Sequence, residues 1–361
     1  MSGVKLPVMP PVAPMLARAA DSLPEAEPGE LWFEPKWDGF RAVVFRHGTE
    51  LEIGSRNERP LTRYFPELAG PLRARLPQRC VLDGELVVAA PGGGLDFDAL
   101  SARIHPAASR VARLARETPA RFVAFDILAL GDRDLTGSPF AERRAVLVDV
   151  AAGFAAPVHL TPATTDRAVA TGWFERFEGA GLDGIIAKPA TGAYESGRRA
   201  QFKIKHRHTA DCVVAGYRMH RSGDGVGSLL LGLHDSRGVL HYVGAASGFS
   251  AQQRAELAGL LAEHRLDAAA AHPWTAEGAE GRLPGAPNRW RSGVDAWVPL
   301  AGAPVVEVAY DAVLAGRFRH SARLLRWRPD RVPASCSYAQ LVRTPPVELA
   351  EIFAAGDPGT G

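Results

Sequence analysis

Residues 31–45 read LWFEPKWDGFRAVVF, with Lys36 set between Glu34 and Asp38, and Arg41 three residues beyond Asp38. A lysine ammonium binds phosphate as a point charge and turns nucleophilic only when neutral, a form favoured by nearby cations and partial desolvation. More charged residues fall inside or beside apolar runs: Arg56 in GSRNERPLT, Glu85 in VLDGELVV, Asp126 in FVAFDIL, Asp183 and Lys188 in LDGIIAKP, and Lys203 with Lys205 in FKIKHRH. Charge in such places is unfavourable unless it is paired or used. Any one of these residues could be half of a structural ion pair, and Arg56 or Asp126 taken singly reads equally well that way. The basic clusters KIKHRH (203–208) and RFRHSARLLRWRPDR (317–331) suit a polyphosphate or a nucleic-acid backbone, although either alone is ordinary for a solvated face.

The elements that must position these groups change character along the chain. Residues 30–208 alternate strand-like runs with expected helices around 97–104, 140–151 and 166–179, a mixed α/β pattern. Asp38-Gly39 between two apolar runs predicts a tight hairpin turn. Residues 209–345 are instead short strands with Gly-rich or Asp-containing turns and one helix near 250–265, which predicts a small β-barrel. The expected layout is an arm (1–29), an α/β domain (30–208), a barrel (209–345) and a tail (346–361). TAEGAEGRLPGAPNRW (275–290) reads as a mobile surface loop and AAGDPGTG as a disordered end.

With 361 residues, 23% charged and 46% hydrophobic, composition is that of a globular protein, and the net charge of +2 leaves local clusters to matter more than the total. No apolar run reaches membrane-spanning length, and four prolines interrupt the apolar start VKLPVMPPVAPMLARAA. Cys80, Cys212 and Cys336 have no disulfide or zinc spacing and are expected as buried thiols. These features point to a cytoplasmic protein.

In order and in neighbours, the motifs resemble those of the ATP-dependent DNA ligases of the covalent nucleotidyltransferase superfamily, from about residue 10 to 340, and most of all the compact bacterial ligase C group. The resemblance implies an α+β fold: a nucleotidyltransferase (adenylation) domain followed by an oligonucleotide-binding β-barrel. EPKWDGFR is similar to the nucleotidyl-lysine motif, which makes Lys36 the nucleophile and lets Glu34 accept from the adenine amino group. SRN, with Arg56, resembles the first arginine motif, and Arg41 and Arg56 are expected on phosphates. LDGEL implies Glu85 at the ribose and near the metal, FVAFDIL implies Phe125 stacked on adenine, and FKIK implies Lys203 and Lys205 at the phosphates. DGIIAK implies Asp183 at the metal; the family usually carries Glu there, so this carboxylate is one methylene shorter and reaches a metal directly or through water. Arg198 and Arg199 compete for the arginine position before the paired lysines. LLRWRPDR is similar to the terminal Arg-rich motif, implying Arg326 and Arg328 on ATP phosphates, with Asp330 fixing them, in a lid that moves with the barrel.

The activity so implied is sealing of 5′-phosphate to 3′-hydroxyl nicks in DNA repair through a lysyl-AMP and a DNA-adenylate, using ATP and Mg²⁺, with Mn²⁺ as an alternative. AMP transfer provides the leaving group that a 5′-phosphate lacks, and the lysine carries it covalently. Nicked double-stranded DNA is the expected partner of a monomer. With no helical DNA-binding segment before residue 30, the two domains are expected to grip the duplex themselves. The rivals are an RNA guanylyltransferase of the capping type, which shares the lysine motif and a barrel, and a catalytically inactive nick-binding protein.

Overall fold

The computed structural model describes residues 5–266, 272–285, 296–302, 304–314, 316–341 and 344–355. The chain forms two units: Met1–Lys205 with Thr344–Gly361, and His206–Arg343. In the first unit the elements run β1 (Leu16–Ala20), β2 (Leu31–Lys36), β3 (Phe40–His47), β4 (Glu50–Ser55), α1 (Pro66–Arg75), β5 (Arg79–Val88), α2 (Phe97–Ser101), α3 (Ala108–Glu117), β6 (Ala120–Leu130), β7 (Arg133–Asp134), α4 (Phe140–Ala151), β8 (Val158–Leu160), α5 (Arg167–Phe177), β9 (Gly184–Pro189) and β10 (Arg199–Lys205). They build two sheets, one in the order β1-β10-β9-β2 and one in the order β4-β3-β5-β6-β7 with β8 alongside β6.

Strand alternation decides what each face meets. On β5, Cys80, Leu82, Leu86 and Val88 join the core made with Leu68 and Leu72 of α1 and Leu147 of α4. The alternate residues include Val81 and Val87, which belong to other apolar clusters, and the acids Asp83 and Glu85. On the first sheet, Phe33, Ile185, Ala187 and Ile204 pack with Trp173 and Phe177 of α5, leaving Glu34, Lys36, Lys188, Lys203 and Lys205 at the alternate positions. Asp166 caps α5 by accepting from the Ala168 and Val169 amides.

Asp38-Gly39 makes no hairpin. β2 and β3 lie in different sheets, so residues 37–39 carry the chain from one sheet to the other. A Cβ on Gly39 would fall 2.1 Å from the Leu86 carbonyl oxygen, so glycine is needed there for close approach to β5 rather than for a turn type. The expected arm and tail are not appendages either. β1 pairs in parallel with β10, and a terminal helix α7 (Leu349–Ala354), introduced after the second unit in the chain, buries Leu349 and Ile352 in the first unit's core. The three expected helices are present; α1 and α3 are additional, α1 obscured by Pro71 in its interior and α3 by the lack of a side-chain cap.

The second unit contains β11 (His208–Met219), β12 (Val226–His234), β13 (Leu240–Ser247), α6 (Ala251–Ala262), β14 (Val298–Pro299), β15 (Val305–Tyr310), β16 (Val313–Leu314), β17 (Arg317–Phe318) and β18 (Arg323–Trp327). Its strand path is β13-β12-β11-β15-β18, and a parallel bridge between Ala246 and Ala322 joins the two ends of that path, closing the barrel. Closure removes the exposed edges that an open sheet of this kind would leave. Of the stretch expected to be a mobile loop, residue 282 lies against β13, where the Tyr242 amide donates to the Arg282 carbonyl at 2.8 Å. The remainder of that stretch from 286, and the end of the chain from 356, lie outside the described residues. All three cysteines are buried and free.

Asp126 is a structural residue: its carboxylate takes Nε and Nη2 of Arg143 at 2.8 and 3.1 Å, and both side chains are essentially inaccessible. Arg143→Met strands that carboxylate, and the expected loss is about 3 kcal/mol or more in the first unit's urea unfolding transition. Adding Asp126→Asn should recover part of it.

Candidate active site

The centre of the site follows from strand register. Gly184 on β9 stands opposite Lys36 on β2 and Lys205 on β10. The residue before it, Asp183, therefore meets both lysines, its Oδ2 accepting from Lys36 Nζ at 2.7 Å and lying 2.9 Å from Lys205 Nζ. The Asp183 amide also donates to the Lys36 carbonyl at 3.0 Å. Gly184 has φ +141°, and a Cβ there would collide with the Ile204 carbonyl, so this close three-strand row requires glycine. Burial alone would raise the Asp183 pKa, but the ammoniums of Lys36 and Lys205 outweigh it and hold the carboxyl well below the usual range.

Both sheets wall one cavity. It is lined on the first sheet by Glu34, Lys36, Lys188, Arg199, Gln201 and Lys203, and from elsewhere by Arg41, Arg56, Glu85 and Phe125. Arg199 is among the lining residues and Arg198 is not. Lys203 is shifted down by desolvation first and then by the positive charges of Lys205, Lys36, Arg199 and Arg56, a concentration of cations suited to phosphate oxygens.

Glu34 is buried at one end of the cavity. Its Oε2 pairs with Lys188 Nζ at 2.7 Å, and Lys188 also donates to the Phe125 carbonyl at 2.9 Å. Oε1 is buried with no hydrogen-bond partner among the described residues, and Arg144 Nη1 lies 3.8 Å away, likewise unpartnered. A buried carboxylate oxygen of this kind is a ready acceptor for a donor on a bound base. Burial raises the Glu34 pKa and lowers that of Lys188.

Arg41 lines the cavity with much of its guanidinium already bonded. Its Nε and Nη2 each donate to Asp83 at 2.6 Å, Nη2 also reaches the Met15 carbonyl, and the guanidinium sits 4.5 Å from the centre of the Phe125 ring. Asp83 also accepts from the Tyr194 hydroxyl at 2.6 Å. Three N–H groups of Arg41 are thus committed to protein, which sets the guanidinium against Phe125 at the cavity wall. Alternation with Glu85 on β5 was a signal for Asp83; Tyr194, on a loop, had none.

Arg326 and Arg328 lie in the second unit. Arg328 bonds Asp211 at 2.9 and 3.1 Å and Asp330 at 2.8 Å, tying the end of β18 to β11. Arg326 bonds Glu307 at 2.6 Å and is 64% exposed.

Residues 14–205 match the model of the ATP dependent DNA ligase domain, and residues 222–331 that of the ATP dependent DNA ligase C terminal region. The chain belongs to the ATP-dependent DNA ligases, an enzyme family that uses ATP, with a nucleotidyltransferase domain and an oligonucleotide-binding-fold barrel. Within that family it is 54% identical over 359 residues to DNA ligase C of Mycobacterium tuberculosis, covering 97% of this chain and 99% of that one. It is 53% identical over 352 residues to DNA ligase C2 of Mycolicibacterium smegmatis, with 94% and 97% covered. A solved chain from a study of Lig E DNA ligases has the same fold, with TM-score 0.54 and 21% identity over 87% of this chain and 99% of that one. The guanylyltransferase and inactive-binder readings give way to this assignment. No helix among the described residues is long and apolar enough to cross a membrane.

Burial pushes the Glu85 carboxyl up to about 8 from 4.5, with Arg41 and Lys36 opposing. Between those values the folded protein holds a proton that the unfolded chain has released, so Glu85 lowers stability progressively as pH rises through that window. Glu85→Gln should gain thermal stability over the wild type as pH climbs from about 5 to about 8. Melting both proteins across that range checks it, and a constant difference would contradict the expected shift.

Proposed function

We propose that this chain seals nicks in double-stranded DNA during repair, with Lys36 carrying AMP from ATP to the 5′-phosphate of the nick. The observation that carries this reading is the convergence of Lys36 and Lys205 on one Asp183 oxygen, beside a cavity with an unpartnered Glu34 Oε1. Glu34 Oε1 accepts from the adenine 6-amino group, where guanine has a carbonyl and nothing to donate. Phe125, braced by Arg41, offers its ring to the base, and Glu85 accepts from a ribose hydroxyl. Asp183, firmly ionised, orients the Lys36 amine rather than deprotonating it. Once Lys36 Nζ has given up its proton to solvent it attacks the α-phosphorus; the N–P bond forms as the P–O bond to pyrophosphate breaks, and pyrophosphate leaves. Arg56, Arg199, Lys203 and Lys205 hold phosphate oxygens as charge shifts among them.

The 5′-phosphate then takes AMP from Lys36, and the 3′-hydroxyl displaces AMP to complete the phosphodiester. Asp183 and Glu85 are two oxygen donors beside one cation cluster, a set that fits a hard divalent ion. Magnesium held there, or manganese, would neutralise phosphate charge. In the second unit, Arg326 takes the phosphate-facing role while Arg328 and Asp330 keep its strand end in place. The enzyme works as a monomer in the cytoplasm, at the nucleoid.

Intact mass after incubation with ATP and Mg²⁺ tests the reading. Wild-type protein should gain one AMP and Lys36→Ala none; an adduct on the variant would assign the nucleophile elsewhere. Radiolabelled GTP should label the wild type at least about a hundredfold less than ATP, since the guanine carbonyl would face a buried acceptor. Equal labelling would remove Glu34 as the base-selecting residue.

A further inference from the structure

The first unit is completed by a segment that the chain supplies only after building the whole barrel. It leaves this unit after Lys205 and returns at Thr344. The returning segment is anchored along its length. The Leu349 amide donates to the Gly93 carbonyl at 2.9 Å, and Thr344 Oγ1 donates to Glu178 at 3.0 Å. Glu351 pairs with Arg176, while Val347, Leu349 and Ile352 are buried. A Cβ on Gly179 would collide with the Pro345 carbonyl, so α5's exit is shaped for this passage.

Its aromatic end lies against the residue that follows the nucleophile. Phe353 stacks on Trp37 with ring centres 5.3 Å apart and planes 17° apart, and on His159 at 4.0 Å and 9°. Trp37 is 5% exposed, and its indole N–H donates to Thr161 Oγ1 at 2.8 Å. The Lys36 carbonyl is held by the Asp183 amide. Beyond Trp37 the chain crosses to the other sheet without pairing, so side-chain packing, not a strand ladder, fixes the backbone just after Lys36.

We propose that residues 344–355 form an intramolecular clamp in which Phe353 is a positioning residue for Lys36, acting through Trp37. The inference rests on the assignment of Lys36 as the nucleophile. With the ring removed, one face of the Trp37 indole is left open and residues 36–37 gain freedom that the attacking amine cannot tolerate. ATP binding, made by Glu34, Arg56, Arg199 and Lys203 on other parts of the cavity wall, is left nearly intact. The effect therefore falls on the maximal adenylation rate and not on ATP affinity. A clamp serving only stability would change the folded fraction and leave the rate of folded molecules alone.

The test uses the full chain and single-turnover adenylation, followed by mass across a range of ATP concentrations, with thermal midpoints measured alongside. Phe353→Ala should slow the saturated rate about tenfold, the size expected for a slightly misplaced nucleophile, with the half-saturating ATP concentration changed less than about twofold. Phe353→Tyr, which keeps the ring, should restore the rate. Val347→Ala, in the same segment but with no ring stacked on Trp37, should lower the midpoint with the rate preserved. The proposal falls if Phe353→Ala turns over at the wild-type rate, or if Val347→Ala slows adenylation as much. Peptide mapping of the adduct separates this from the underlying assignment: AMP on a residue other than Lys36 overturns the nucleophile, whereas AMP on Lys36 with a normal Phe353→Ala rate overturns only the clamp.

Discussion

Three strands set in one register place a single carboxylate between two ammoniums, and the rest of the first unit is arranged around that contact. Gly184 is the common opposite of Lys36 and Lys205, and only glycine permits the strands to close there. Asp183 is fixed by the same backbone, since its amide bonds the carbonyl of Lys36. Two cations on one oxygen keep the acid ionised in spite of burial, and the acid in turn allows lysines to gather where their mutual repulsion would otherwise scatter them. Slipping any one of the three strands by one residue would turn that strand's charged side chains toward the apolar core and break the contact.

The second sheet contributes by the same alternation. Asp83 and Glu85 share a face of β5, and burial treats them differently because their neighbours differ. Asp83 is saturated by Arg41 and Tyr194. Among the described residues Glu85 has no comparable set of donors, and burial pushes it up to about 8. A saturated acid and an unsaturated one thus stand two residues apart on one strand.

Much of this was legible from sequence because strands with buried charges break the usual composition of a core, and the anomaly marks the site. Glu34, Lys36, Arg56, Glu85, Phe125, Arg199 and Lys203 all line one cavity. Less was legible where a local pattern has two physical uses. Asp38-Gly39 has the chemistry of a hairpin, yet the glycine answers a steric demand from Leu86, a partner distant in sequence. Arg41 has the spacing of a phosphate ligand, but its donors are claimed by Asp83, which reads as just another acid until β3 and β5 are paired. Arg328 similarly meets Asp211, a partner distant in sequence that its local pattern does not announce. The docking of α7 had no local signal at all, since Phe353 meets Trp37 and His159 only through tertiary packing.

The distribution of satisfied and unsatisfied buried charge separates scaffold from site. Asp126 has both oxygens on Arg143, whose Nη1 donates to the Ser138 and Gly192 carbonyls, so neither carboxylate oxygen is left bare. Glu34 resembles it in burial and in having two cationic neighbours, but Lys188 meets only one of its oxygens and Arg144 stops 3.8 Å from the other. An acceptor left bare in a low-dielectric wall is costly to the empty protein. A hydrogen-bond donor brought to that oxygen removes the cost, whereas an acceptor adds to it. The same lysine that holds Glu34 also holds the carbonyl of Phe125, so one side chain fixes both the bare acceptor and the strand that carries the ring.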